Sequence, residues 1–339
     1  MTTAAWLWLL AITLIWPVPA VLARARWLLT VPRPAVVLWQ AVAVSALLAV
    51  FGASLATIQA LVFNLLLPDA AVRAGERPAS LSEIDATGAL HLTIATGLLV
   101  LTVVALVKLN YVGIQVARRL RRHRSRHRDL VDLLAGTGMP DAQDIRVLSS
   151  GETAYAYCLP GRDSRVVISD AALRDLTPEQ VAAVIEHERA HLRARHDLLL
   201  EFFTVLYEAA GRRAGTQAAL EQSAVLVELL ADDAARRLHG PQPLIAALAT
   251  LGSSTALESP ASPTSPTSLT GQKTADSGEQ TEVTGLGVLP RLRRLVDAPV
   301  SVAPPGLAAA VYAGALALIA VPTGALALPW LLSTWHAVR

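Results

Sequence analysis

The chain has 339 residues, 53% of them hydrophobic, with a formal net charge of +2 and one cysteine. A mean hydropathy of +0.45 excludes an ordinary soluble domain, which needs far less apolar matter for its core. The lone Cys158 excludes an intrachain disulfide and suits a reducing compartment, while the small net charge points to no partner by itself.

The apolar excess sits in blocks. No charged side chain occurs in Met1–Ala23, Ala35–Leu67, Ala86–Val107 or Ala298–Val338, and each block exceeds the ~20 apolar residues that span a bilayer. Three transmembrane helices are expected at about 4–23, 36–60 and 88–108 within a membrane region 1–117, and a fourth at 306–334. All seven tryptophans lie in or beside these blocks, mostly near their ends, where amphipathic rings prefer the headgroup layer. The first block lacks a basic stretch ahead of its apolar run, so a retained helix is expected rather than a cleaved signal peptide. Apart from His91 near an outer end, the spans hold no internal ionisable residue, which argues against an ion path.

Orientation follows from the arginines. The first connection carries Arg24, Arg26 and Arg33 with no acid. The second carries Arg73 and Arg77 against Asp69, Glu76, Glu83 and Asp85. The third span is followed by an arginine-rich run, Arg118 to Arg128. Connections one and three are therefore expected in the cytoplasm, with both termini outside. The arginine run reads as a juxtamembrane anchor to the lipid bilayer, and direct nucleic-acid binding is not expected. Lysine is nearly absent while Arg and Ala abound, a bias associated with bacterial genomes of high GC content; the expected location is a bacterial cell membrane.

Residues 118–251 form the expected cytoplasmic domain. Asp144–Leu148, Thr153–Leu159 and Arg165–Ser169 alternate like short strands of a small antiparallel sheet, and Arg165–Ser169 could take a substrate as an added strand. Thr177 as N-cap, Pro178 at the first helical position and Gln180 closing a capping box start a helix that runs to about Arg195. On it His187 and His191 are i and i+4, stacked on one face, so both rings can reach one metal ion. Glu188 is placed to take a proton from an attacking water.

Leu198–Ala210 is expected to be a core or membrane-resting helix, broken by Gly211. A further helix, about Gln217–Leu238, carries Glu228 and Asp232, again i and i+4. Two histidines and one glutamate bind a catalytic zinc while leaving a fourth position for water, so Glu228 is the expected third ligand. Asp232 would accept a hydrogen bond from the far nitrogen of His187. A competing geometry would draw the ligand Asp197, but it needs a glycine three residues after the second histidine; Ala194 stands there, so the helix should continue and carry Asp197 away. His239 reads as a solvent-exposed helix end, with a transition-state hydrogen-bond donor as the alternative.

From 252 the composition turns to Ser, Thr and Pro, and a disordered insert is expected over 252–287. An amphipathic return segment, 288–305, leads to the last span.

With these motifs assembled, the chain resembles the BlaR/MecR-type membrane metallopeptidases. The most specific parts are Leu176-Thr177-Pro178-Glu179-Gln180, the run Glu186 to Asp197, and Glu228-x-x-Ala231-Asp232. The resemblance implies a multi-pass α-helical membrane protein with a cytoplasmic α+β zinc-metallopeptidase domain of gluzincin type. It implies one zinc ion held by His187, His191 and Glu228, and Glu188 as general base. A cytoplasmic transcriptional repressor of the BlaI/MecI type is the protein substrate it implies. No penicillin-binding domain follows the fourth span before Arg339, so direct acylation by a β-lactam is not expected. Two rival readings are a quality-control protease like the HtpX and CAAX-prenyl-protease families, which share the zinc motifs, and a non-catalytic membrane receptor with a zinc-binding module.

Overall fold

Proline sets the first break. Helix α1 (Thr2–Ile15) stops before Pro17, whose fixed φ and missing N–H suit the first position of α2 (Pro17–Arg24). A 3-10 turn (Arg26–Thr30) then leads into α3 (Pro32–Leu66), the centre of the apolar bundle. In the computed structural model, residues 2–66, 86–134, 144–149, 151–257, 291, 292, 294–296 and 306–338 are described. Helix α3 packs against α1, α4 (Ala86–Leu134) and α10 (Leu307–Val338). Ser45 Oγ donates to Leu318 O at 2.7 Å, and a Cβ on Gly52 would stand 2.8 Å from the Leu326 methyl groups, so a larger residue there would require that side chain to shift. Among the described residues, four helical stretches are long and apolar enough to cross a membrane: Thr3–Arg24, Pro32–Val62, Ala86–Leu134 and Leu307–Ala327.

The arginine-rich segment is a continuation of the third apolar helix rather than a separate start to the next domain. Helix α4 runs 49 residues without a break. Its second half has no proline and is filled with Arg and Leu, strong helix formers. Val116, Leu120 and Val131 are buried along one side of that half. Arg124 pairs with Asp197 at 3.1 Å, Arg119 pairs with Glu208, and Arg165 pairs with Asp132.

Strands β1 (Ile145–Leu148), β2 (Ala156–Leu159) and β3 (Arg165–Ser169) form one sheet in the order β1-β3-β2. Only the β2–β3 pair is antiparallel; β1 runs parallel to β3, with Ile145 opposite Val166. The expected antiparallel sheet is thus mixed, because alternation reports which side chains are buried and not the direction of the partner. The alternation itself holds. Val166 and Ile168 pack with Ile145, Val184 and Ile185, while Val167 packs on the other face with Leu148, Leu159 and Val131 of α4. The sheet is clamped between α4 and the helix that carries Val184 and Ile185. Since β3 is central, it cannot accept a further strand, and the two edges belong to β1 and β2.

Ser169 Oγ accepts from Ala172 N and caps α5 (Asp170–Asp175). Helix α6 (Pro178–Ala194) opens with the full capping box of Thr177 and Gln180. It does not continue past Ala194: Arg195 takes a left-handed conformation (φ 50°) and α7 (His196–Ala209) begins at once. Alanine's helix propensity is worth a few tenths of a kcal/mol, less than the packing that sets the turn. Helices α8 (Ala214–His239) and α9 (Pro241–Leu257) complete the domain. Helix α9 includes residues 252–257, the expected start of the insert; residues 258–287 and the second connection lie outside the described residues. Of the return segment, 291, 292 and 294–296 are described, and are helical. Phe203 of α7 with Leu226 and Leu229 of α8 share a buried cluster with Leu28, Val36 and Trp39, so these helices rest on the N-terminal end of α3.

Candidate metal centre

The i, i+4 spacing on α6 and the approach of α8 together converge three ligand-type groups. His187 Nε2 and His191 Nε2 are 3.2 Å apart. Glu228 reaches both, with Oε2 3.5 Å from His187 Nε2 and Oε1 3.5 Å from His191 Nε2. Three donors about 2.0–2.1 Å from a tetrahedral ion stand roughly 3.3 Å from one another. The measured edges match that triangle, so these side chains fit a zinc ion. Among the described residues they form the one His/Cys/Asp/Glu group close enough to hold a metal.

Each histidine has a partner behind it. His187 Nδ1 lies 3.0 Å from Asp232 Oδ1, an ion-pair contact bent off the line of a straight hydrogen bond. His191 Nδ1 lies 3.0 Å from His196 Nδ1. A ligand nitrogen at Nε2 requires the proton on Nδ1, so His191 would donate and His196 accept. Burial and the neighbouring histidines hold His191 down at about 3, and burial holds His196 at about 4, so both rings stay neutral. His187 goes the other way. Burial would lower it, but the carboxylates of Asp232 and Glu228 prevail and raise it to about 10.

The carboxylates stay ionised for a reason that lies far along the chain. Arg291 places Nε and Nη2 each 2.8 Å from the two oxygens of Asp232 and Nη1 3.1 Å from Glu228 Oε2. Burial pushes both acids up, yet the guanidinium and the histidines hold both below the usual carboxylate range. Nothing local in the sequence marks Arg291 as part of this group; it stands 59 residues from Asp232.

Glu188 faces the same centre from α6. Burial raises its carboxyl to about 7, against the opposing field of His187. The thiol of Cys158, on β2, donates to it, and the buried thiol is itself pushed up. Position 158 is the third residue of a four-residue edge strand beside α6, so the strand's pleat supplies a contact that spacing along the chain does not reveal.

Two other expected positions are accounted for. Asp197 pairs with Arg124 and is not one of the three residues of the metal group. His239 is the last residue of α8, 11 residues beyond Glu228 and thus ~16 Å along the axis, and is not brought to the cluster.

Residues 120–255 match the family model of peptidase family M48. The match supports a metallopeptidase, and zinc is the usual metal of that family. It does not single out the BlaR/MecR type. The matched segment begins inside α4. No solved structure matches the chain.

Proposed function

We propose that this chain is a membrane-bound zinc endopeptidase in which His187, His191 and Glu228 hold the metal and Glu188 is the general base. The reading rests on the 3.2, 3.5 and 3.5 Å triangle of donors with a carboxylate beside it. Bound there, zinc would polarise the scissile carbonyl and lower the pKa of water. Glu188 takes the proton from the attacking water and returns it to the leaving nitrogen, so the base is regenerated. Asp232 and His196 orient the two rings from behind. Arg291 keeps Glu228 and Asp232 charged in a buried setting.

An extended substrate fits the free edge of β2, which lies beside α6; main-chain hydrogen bonding there would hold the peptide across the centre. The domain layout is three spans, a cytoplasmic peptidase, and a fourth span. Two facts support the orientation: the arginines of the first connection, and the packing of α7 and α8 on that same end of α3. Helix α8, which carries Glu228, packs against α3, and its Leu226 and Leu229 share a buried cluster with Trp39, so the centre sits about one interhelical distance, ~10 Å, from the bundle. That proximity favours a membrane-anchored protein substrate, as in the quality-control reading. A BlaI/MecI-type repressor is implied by the BlaR/MecR resemblance alone.

The test is Glu188→Gln in the full chain. Metal analysis should find zinc retained, while cleavage of an unfolded protein substrate falls by at least about 10²-fold. Undiminished cleavage would remove Glu188 from the mechanism.

A further inference from the structure

A cavity lies at the junction of the bundle and the proposed peptidase domain, with a volume of about 610 Å³. It lies between the start of α3, the α6–α7 turn and α10, on the side of His196 away from the metal group. Its walls are apolar, formed by Val36 of α3, Leu199 and Phe202 of α7 and Leu230 of α8. Two cations stand over it, Arg33 and Arg195. Among the described residues neither makes an ion pair, and no carboxylate lines the cavity. Arg195 is also one of two non-glycine residues with positive φ among the described residues, at 50°, so the turn that presents it is a strained one.

The setting narrows the ligand. Arg33 belongs to the acid-free connection at the end of the first two apolar helices. Val37, Leu198 and Tyr312 carry the apolar lining outward, with exposures of 37%, 49% and 43%. An occupant must therefore offer a negative charge to two guanidinium groups and an apolar body to aliphatic walls, at the depth where the bundle ends. A soluble anion meets the first demand and not the second. Basic pockets between transmembrane helices on the cytoplasmic side bind acidic lipid headgroups in this way.

We propose that this cavity seats one acidic phospholipid, its phosphate between Arg33 and Arg195 and the upper part of an acyl chain against Val36, Leu199 and Phe202. The inference rests on the membrane reading given above. Through His196, whose ring touches His191, the lipid would form the outer wall of the metal centre's support.

Full-length protein reconstituted in phosphatidylcholine vesicles containing phosphatidylglycerol, then extracted mildly, is examined by native mass spectrometry. One phosphatidylglycerol should be retained in preference to phosphatidylcholine. Arg33→Gln with Arg195→Gln should lower that retention about 30-fold, for two arginines at about 1 kcal/mol each. Arg33→Lys with Arg195→Lys should keep the preference, which separates lost charge from lost folding. Equal retention in the Gln variant, or equal retention of phosphatidylcholine by wild type, overturns the proposal. Displacement of the lipid by millimolar glycerol phosphate overturns it in favour of a free phosphate site. Failure of the wild-type chain to float with vesicles overturns the membrane reading itself.

Discussion

Arg291 grips Asp232 with both prongs, Nε and Nη2 each 2.8 Å from a carboxylate oxygen. The pair is buried, with side-chain exposures of 13% and 2%, and its third contact is Glu228. One arginine thus anchors both a group that would bind the metal and a group that would orient a ligand.

Arg291→Ala should leave two buried acids without their cation. Breaking a buried pair from one side costs about 3–5 kcal/mol. Thermal unfolding of the metal-free variant in detergent should show a clearly lower midpoint, and added zinc, a replacement cation, should recover part of the difference. An unchanged midpoint would mean the pair carries no structural weight.

Glu228→Ala removes one of three donors. Loss of groups that only support a ligand already weakens metal binding 10–100-fold, so loss of the donor itself should exceed roughly 100-fold. Zinc content after dialysis against a weak chelator reads this directly, and stoichiometric zinc in the variant would point to a different third ligand.

Zinc binding should tighten as pH rises from 7. In the metal-free protein His187 is held protonated up to about 10 by Asp232 and Glu228, and the ion can bind only after that proton leaves. Between pH 7 and about 9 the apparent affinity should rise close to tenfold per unit, with one proton released per ion in calorimetry performed in buffers of different ionisation enthalpy. A flat profile would contradict a cationic His187.

Cys158→Ala should shift the acid limb of kcat/KM upward. Burial raises Glu188 to about 7, while the Cys158 thiol donates to the carboxylate and favours its charged form. In the reading proposed above the base works as carboxylate, so activity is lost as pH falls through its pKa; a bound metal ion, itself positive, would set that limb below 7. Removing the donor disfavours the carboxylate and moves the limb to higher pH, whereas Cys158→Ser, which restores a donor, should move it back. A limb in the same place for all three proteins would remove the thiol from this role.

Features encoded within a few residues were legible in the sequence. The Thr177, Pro178 and Gln180 start of α6 and the two i, i+4 pairs follow from local hydrogen bonding and helical pitch, and the structure brings His187, His191, Glu228 and Asp232 together. Contacts joining distant segments were not. Alternation in residues 145–148 and 165–169 reports two buried faces but is indifferent to strand direction, so the parallel pairing stayed hidden. The arginines after the third apolar block mark where apolar matter ends, not where the helix ends. Arg291 looks like any basic residue of an amphipathic turn until the fold carries it to Asp232.

The unbroken helix α4 extends for ~74 Å at 1.5 Å per residue, and its far end is fastened to the sheet by the Asp132–Arg165 pair and by the contact of His127 with Tyr157 on β2. A rigid rod fixed at both ends works as a ruler. In the reading proposed above, it holds the cutting centre at one set height over the bilayer. The bond that is cut would then be selected by its distance from the membrane as much as by the residues around it, and anchored substrates unrelated in sequence would be severed at a common length from their last buried residue.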